Sequence, residues 1–259
     1  MNPDRVLIFD LKGTWAHFRR VYTNSSSLTY AFPPRTTVAG AVAGILGRER
    51  DSYYEELAGE RCRIALSIRT PTRRLIQTVN YISTKKEFSP FDGSRERTQV
   101  PVEFLLPAID GEDLCFRVFF WHQNNDMMSE LRSSLVAGRS VFPPYLGITE
   151  CPGRVELATP ECASIEWSDG DSQDVLPLST VIPVSAVQPD ALQLDLGVQI
   201  MKEDRIPLEF DAERYLKRIG DFLYERNCKQ IRLKPSVPVF RVRYPDSGQA
   251  LDEWGVFME

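Results

Sequence analysis

Residues 28–47, LTYAFPPRTTVAGAVAGILG, feed two consecutive prolines into a run of Ala, Gly, Val and Ile. Pro33 and Pro34 stop any extended structure, and Pro34 suits the first turn of a helix, where its missing N–H costs no hydrogen bond. The pattern predicts a helix over Thr36–Leu46. Gly40 and Gly44 each weaken such a helix by about 1 kcal/mol relative to alanine. The missing side chains therefore need a compensating use, and close approach to a sheet or a neighbouring backbone is the expected one.

RVLIFDLKG (5–13), RIALSIRT (63–70) and LCFRVFFWH (114–122) are short apolar runs rich in β-branched and aromatic residues, which predict buried strands. MSELRSSLVAG (128–138) predicts a second helix. The order β, α, β, arm, β, α leads us to expect an α+β chain with a ferredoxin-like palm over residues 1–144. Its arm is a long hairpin at about 73–107, formed by LIQTVNYI and TQVPVEFLL around a basic tip, with Pro101 limiting one strand to an edge or bulge. Residues 145–259 are expected to be a β-rich region packed on the palm, its first strands kept short by Pro152, Pro160, Pro177 and Pro183. SVPVFRVRY (236–244) alternates and puts Arg241 and Arg243 on one face. A helix is predicted over 211–225, with Asp211 as N-cap and Ala212, Tyr215, Leu216, Ile219, Phe222 and Leu223 on one side.

The chain has 259 residues, of which 42% are hydrophobic and 26% charged, so it can bury a core and is not expected to be disordered. No uncharged apolar run approaches the ~20 residues of a spanning helix, and MNPDRVLIFD lacks the regions of a signal peptide. A cytoplasmic location without membrane contact is the expectation. Five scattered cysteines without a CxxC spacing read as reduced thiols. The net charge of -5 hides an asymmetry: residues 69–97 hold seven basic and three acidic side chains, whereas 147–201 hold one basic and nine acidic ones. The first region suits phosphates, and the second suits a basic protein surface or solvent.

With only two histidines, histidine-based catalysis has few possible forms. His17, in KGTWAHFRR, has Lys12 upstream and Tyr22 and Tyr30 downstream. Such a set can cleave RNA by general acid–base chemistry without metal, while a structural or RNA-contacting imidazole is the favoured reading. His122 reads as a strand-end residue. HExxH, Walker A, GxSxG and metal-ligand spacings are all missing, so no cofactor and no metal is expected. The acidic DGDSQD lacks the EF-hand glycine and glutamate, and Cys151 has no basic sequence neighbour that would lower its thiol pKa.

FDLKGTWAHFRR with LTYAFPPRTTVAGAVAGILG, then RERTQVPVEFLL, then PPYLGITECPG together resemble the CRISPR-associated Cas family five, a subunit of type I Cascade within the RAMP superfamily. Phe9, Leu11, Gly13, Ala16, Phe18, Tyr30, Pro33, Pro34, Gly40, Gly44 and Gly47 match the opening pattern. Thr98, Pro101 and Glu103 match the middle element, which is most like the type I-B branch, and Tyr145, Leu146, Gly147 and Glu150 match a "YLG" element. The resemblance implies a ferredoxin-like, RNA-recognition-motif-like palm with a hairpin thumb, acting as a non-catalytic RNA-binding subunit that caps the 5′ handle of crRNA. The implied partners are that handle, the backbone and large subunits of Cascade, and target DNA near the protospacer-adjacent motif. Lys12, Arg19, Arg20, Tyr30, Arg35 and Tyr145 are the expected RNA contacts on the body; Lys85, Lys86, Arg95 and Arg97 are those of the thumb. The alternative is a metal-independent endoribonuclease acting on precursor crRNA, with His17 as base, Lys12 stabilising phosphate charge and Tyr30 orienting. A single-strand RNA-binding domain outside CRISPR is a third reading.

Overall fold

The computed structural model describes residues 2–23, 26–82, 97–168, 174–246 and 248–259. β1 (Arg5–Gly13) leads to α1 (Arg35–Ile45), β2 (Cys62–Ile68), the arm strands β3 (Thr72–Ile82) and β4 (Arg97–Pro107), β5 (Leu114–His122) and α2 (Asn125–Val136). Strands dominate the rest: β6 (Arg154–Leu157), β7 (Ala163–Ser168), β8 (Leu176–Leu178), β9 (Ile182–Pro183), β10 (Val187–Gln193), β11 (Ile200–Phe210), β12 (Leu216–Glu225), β13 (Ile231–Pro235), β14 (Val239–Asp246) and β15 (Gln249–Gly255). The largest sheet runs β10-β13-β8-β15-β14-β7-β1-β5-β2, with β6 also paired to β1. β11, β12 and β9 form a second sheet, and β3 with β4 a separate ribbon. The chain is thus mixed α and β and rich in strand. No helix among the described residues is long and apolar enough to cross a membrane.

β1 has no polar face because both of its faces are covered. Leu7, Phe9 and Leu11 enter the core beneath α1 and α2 with Phe116, Val118 and Phe120 of β5. Val6 and Ile8 point the other way, against Phe119, Phe240 and Phe257. Asp10 lies on that second face, where its carboxylate accepts two hydrogen bonds from Arg117, at 2.7 and 2.9 Å, so its charge is paired inside the sheet.

α1 begins where the proline kink predicts, one residue earlier than expected. The backbone N–H groups of Thr37 and Val38 donate to Pro34 O, and Gly47 ends the helix with φ +69°, a conformation glycine adopts cheaply. α2 starts three residues before the predicted Met128 because Asn124 caps it, accepting from the backbone of Asp126 at 2.8 Å and Met127 at 3.4 Å.

The helix expected over 211–225 is not formed. Asp211 does cap, but it caps a turn: its Oδ1 accepts from the Tyr215 N–H at 2.7 Å, Arg214 takes φ +65°, and the chain returns as β12 against β11. The apolar spacing here is that of a helix. Pairing with β11 and β9 buries Phe222 and Tyr224 while leaving Tyr215 and Ile219 exposed. Tertiary pairing therefore overrides the local pattern.

Candidate nucleic-acid interface

The three segments that carry the family resemblance meet around residues 15–18. Ala16 exchanges backbone hydrogen bonds with Leu105 of β4, and the His17 N–H donates to Leu146 O at 3.0 Å. Glu103 ties the arm's root to the opening segment, accepting from the Thr29 N–H at 3.0 Å while its own N–H donates to Ser27 O. Gly147 (φ +95°) packs so closely that a Cβ there would lie 2.1 Å from His17 O.

Beside this junction lies a cleft of about 510 Å³ over the outer face of α1. Thr37, Gly40, Ala41 and Gly44 form its floor, and Tyr53, Tyr54, Phe142, Tyr145 and Phe210 supply aromatic rings. Arg19, Arg48, Arg50 and Arg214 line it, with no carboxylate among the lining residues. A neighbouring backbone does approach at Gly44, where the Phe142 N–H donates to Gly44 O at 3.0 Å, and a Cβ on Gly40 would lie a tight 3.2 Å from the Tyr53 hydroxyl. A Cβ on Gly44 would make only an ordinary contact, 3.8 Å from Phe142, and Ala39, Val42 and Ala43 do the packing on the inner face. The small residues of α1 keep the floor of the cleft low.

Asp51, itself at φ +63°, shares its carboxylate between Arg50 at 3.4 Å and Arg214 at 3.6 Å, so one acid faces two guanidinium groups. Arg48 is held by Glu56 and Glu130, each at 3.2 Å. Among the described residues Arg19 makes one long side-chain hydrogen bond, 3.5 Å to Thr23 O, and is exposed. Surface pairs of this kind are worth about 0–1 kcal/mol, so an incoming phosphate can replace them. Exposed rings next to mobile cations are the elements of a base-stacking, phosphate-pairing surface.

Of the residues expected to meet RNA, Arg19 and Tyr145 line this cleft. Arg97 opens β4 and is exposed. Lys85, Lys86 and Arg95 lie outside the described residues. Lys12 sits on β1 with Nζ 2.7 Å from Glu156 and 3.7 Å from Asp10; burial opposes its charge, but these carboxylates outweigh it and raise its pKa. Arg20 is turned inward, its Nη2 bonded to both oxygens of Glu203 and its Nε to Thr29 O.

Two expectations need correcting. Arg35 is 2% exposed and cannot meet a phosphate: its donors go to Glu259 (2.5 Å) and to the carbonyls of Leu208, Leu57 and Cys62. Tyr30 is fully buried and cannot stack on a base. Its hydroxyl donates to Arg205 O at 2.7 Å, and burial pushes its pKa up to about 12.

The alternative catalytic set is not brought together either. His17 is buried, with Nδ1 2.7 Å from Glu103 O and Nε2 2.8 Å from Ser27 Oγ, while Lys12 and Tyr30 hold separate internal partners. His122 is also buried, with Nε2 2.9 Å from Glu56 O and Nδ1 accepting from the Asn124 N–H. Residues that the sequence reading missed, Arg48, Arg50, Tyr53 and Tyr54, follow α1 directly in RERDSYY. Two arginines followed within five residues by an adjacent pair of tyrosines are the signal that the sequence offers there. Arg214 was hidden in the wrongly expected helix.

Burial holds the His17 pKa below its ordinary 6.5, although the hydrogen bond to Glu103 works in the opposite direction. The unfolded chain then binds the proton more readily. This contribution to stability is full above pH ~6.5 and declines as pH falls toward the lower folded value. His17→Gln is expected to flatten the dependence of unfolding free energy on pH between pH ~7.5 and ~5.5, by at most about 1.4 kcal/mol per pH unit for one proton. Urea titrations across that range check it; parallel curves for the two proteins would refute it.

The chain thus combines a strand-rich α/β fold with a cleft lined by aromatic rings and weakly paired arginines. Comparison places the chain more narrowly: a family model described as CRISPR-associated protein (Cas_Cas5) matches residues 6–177. The chain belongs to that family. None of the curated proteins matches its sequence. Among solved structures, a CRISPR protein from Archaeoglobus fulgidus superposes with a TM-score of 0.52 at 14% identity, covering 96% of this chain and 98% of that one. A chain of the type III-B Cmr-beta complex, solved bound to cognate target RNA and AMPPnP, gives 0.51 at 11% identity, covering 87% and 86%.

Proposed function

We propose that this protein is a non-catalytic subunit of a type I CRISPR ribonucleoprotein that holds the 5′ handle of crRNA, with handle bases seated in the α1 cleft. The observation that carries this reading is the cleft itself, where Tyr145 and Phe142 stand exposed above a floor of Gly40 and Gly44 beside Arg19, Arg50 and Arg214. Family membership supports a place in such a complex. So does the similarity in fold to a Cmr chain solved with RNA. We read β1, α1, β2, β5, α2 and β6, with sheet order β6-β1-β5-β2, as a ferredoxin-like palm, and the β3–β4 ribbon as the thumb that meets the backbone subunit. The non-catalytic role is supported by the internal partners that occupy His17, Lys12 and Tyr30.

The test incubates the full chain with labelled repeat RNA in EDTA. The wild type should retain handle-bearing RNA uncut and bind a scrambled RNA more weakly. Base–aromatic stacking is worth about 1–3 kcal/mol. Tyr145→Ala should therefore weaken handle binding by about five- to a hundredfold. Specific cutting that His17→Ala abolishes would make the protein an endoribonuclease, and equal binding of both RNAs would make it a general single-strand binder.

A further inference from the structure

A second cleft, of about 460 Å³, opens between the root of β3 and the β11–β12 pair. Five cations, Arg20, Arg73, Arg74, Lys202 and Arg226, line it against a single carboxylate, Glu203. We propose that this cleft binds the phosphate backbone of single-stranded nucleic acid, as a second station for the strand held in the α1 cleft; the proposal rests on the RNA-binding reading above.

Glu203 acts as an anchor. Its buried carboxylate accepts from Arg20 at 2.7 and 2.9 Å and from Arg74 at 2.5 Å, which fixes both guanidinium planes. Each guanidinium carries five N–H donors, so Arg74 keeps donors for a ligand. The outer cations are held loosely. Arg73 pairs at 3.1 Å with the highly exposed Asp110, and Lys202 pairs with Asp204 and Asp221 on the surface. Arg226 is exposed and has no ion pair among the described residues.

The two clefts share a wall. Residues 18–21 run extended beside Thr29, and successive side chains diverge: Arg19 lines the α1 cleft and Arg20 lines this one. A polymer with one negative charge at every repeat can cross that wall and satisfy both sides. The aromatic rings of the α1 cleft, on which bases can stack and aspartate or glutamate side chains cannot, favour a nucleic-acid strand over an acidic peptide.

The test measures binding of the full chain, by fluorescence anisotropy across a series of salt concentrations, to a labelled handle RNA and to the same strand with abasic positions. The variants are Arg73→Ala/Arg226→Ala, Arg73→Lys/Arg226→Lys and Tyr145→Ala. Losing two phosphate contacts should lower the slope of log affinity against log salt by about 1.4, at roughly 0.7 per contact for a single strand. The alanine pair should weaken both RNAs equally, the lysine pair should restore the slope, and Tyr145→Ala should affect only the RNA that carries bases. An unchanged slope in the alanine pair while Tyr145→Ala still weakens binding would overturn the second station and leave the RNA reading standing. Absence of wild-type binding to either RNA would overturn both. Displacement of the abasic strand by a poly-aspartate peptide at equal charge would reassign the cleft to a protein partner.

Discussion

Replacing Arg35 by methionine is expected to cost about 3–5 kcal/mol, because removing one member of a buried ion pair leaves the other uncompensated. Arg35 enters the core at the first turn of α1 and is joined there by the equally buried Glu259. Its other donors bind Leu57 O, Cys62 O and Leu208 O, so it ties α1 to β2, β11 and the segment between α1 and β2. For a chain of this size the loss lowers the melting temperature by about 10 °C. Burial already raises the Glu259 pKa, against the pull of Arg35, and without Arg35 only the burial and weaker partners remain. The folded variant should then bind a proton that the unfolded chain releases, so its deficit shrinks as pH falls toward ~4.5 and grows as pH rises. Arg35→Met/Glu259→Gln should recover part of the loss, since a neutral amide can still accept from the Ile64 N–H now bonded to Glu259 at 3.1 Å. Calorimetry of the single and double variants checks this; a double variant less stable than the single would show that the carboxylate is stabilising by itself.

Gly147→Ala is expected to be comparably damaging for a purely steric reason. The added methyl would fall 2.1 Å from His17 O and 2.7 Å from His17 C, atoms held by the backbone bond from the His17 N–H to Leu146 O. The positive φ adds about 1–2 kcal/mol of strain, and forcing packed backbone apart adds about 1–3 kcal/mol. Gly111 supplies the control, because it has φ +88° with nothing within 4 Å of its missing Cβ. Gly111→Ala should show the strain alone, and the difference in unfolding free energy between the two variants isolates the clash. Equal losses would mean that the contact between Gly147 and His17 relaxes freely. Because Gly147 lines the α1 cleft next to Tyr145, the substitution should also weaken RNA binding under conditions where the protein remains folded.

The parts of the fold written in local chemistry were legible before any coordinates. The proline pair and Gly47 bracket α1, the two-faced apolar run of β1 marks a central strand, and the basic stretch after β2 marks an arm built on Pro101 and its neighbours. Each depends on a backbone preference or a short-range apolar period that a linear sequence displays. At 216–225 the local apolar pattern is helical, and tertiary pairing overrode it, so that the segment became a strand against β11. The site was legible in kind and less so in membership. Arg19, Arg20 and Arg35 are identical as sequence symbols, yet one faces the α1 cleft, one is locked onto Glu203 and one is buried on Glu259. A cation's role depends on which carboxylate folds against it, and here those partners lie 183 and 224 residues away for Arg20 and Arg35. The sequence alone determined that this chain has a kinked, small-residue helix, a central strand and concentrated positive charge. Only the tertiary structure decided which arginines remain available to a ligand, because desolvation and ion pairing depend on neighbours in space and not along the chain.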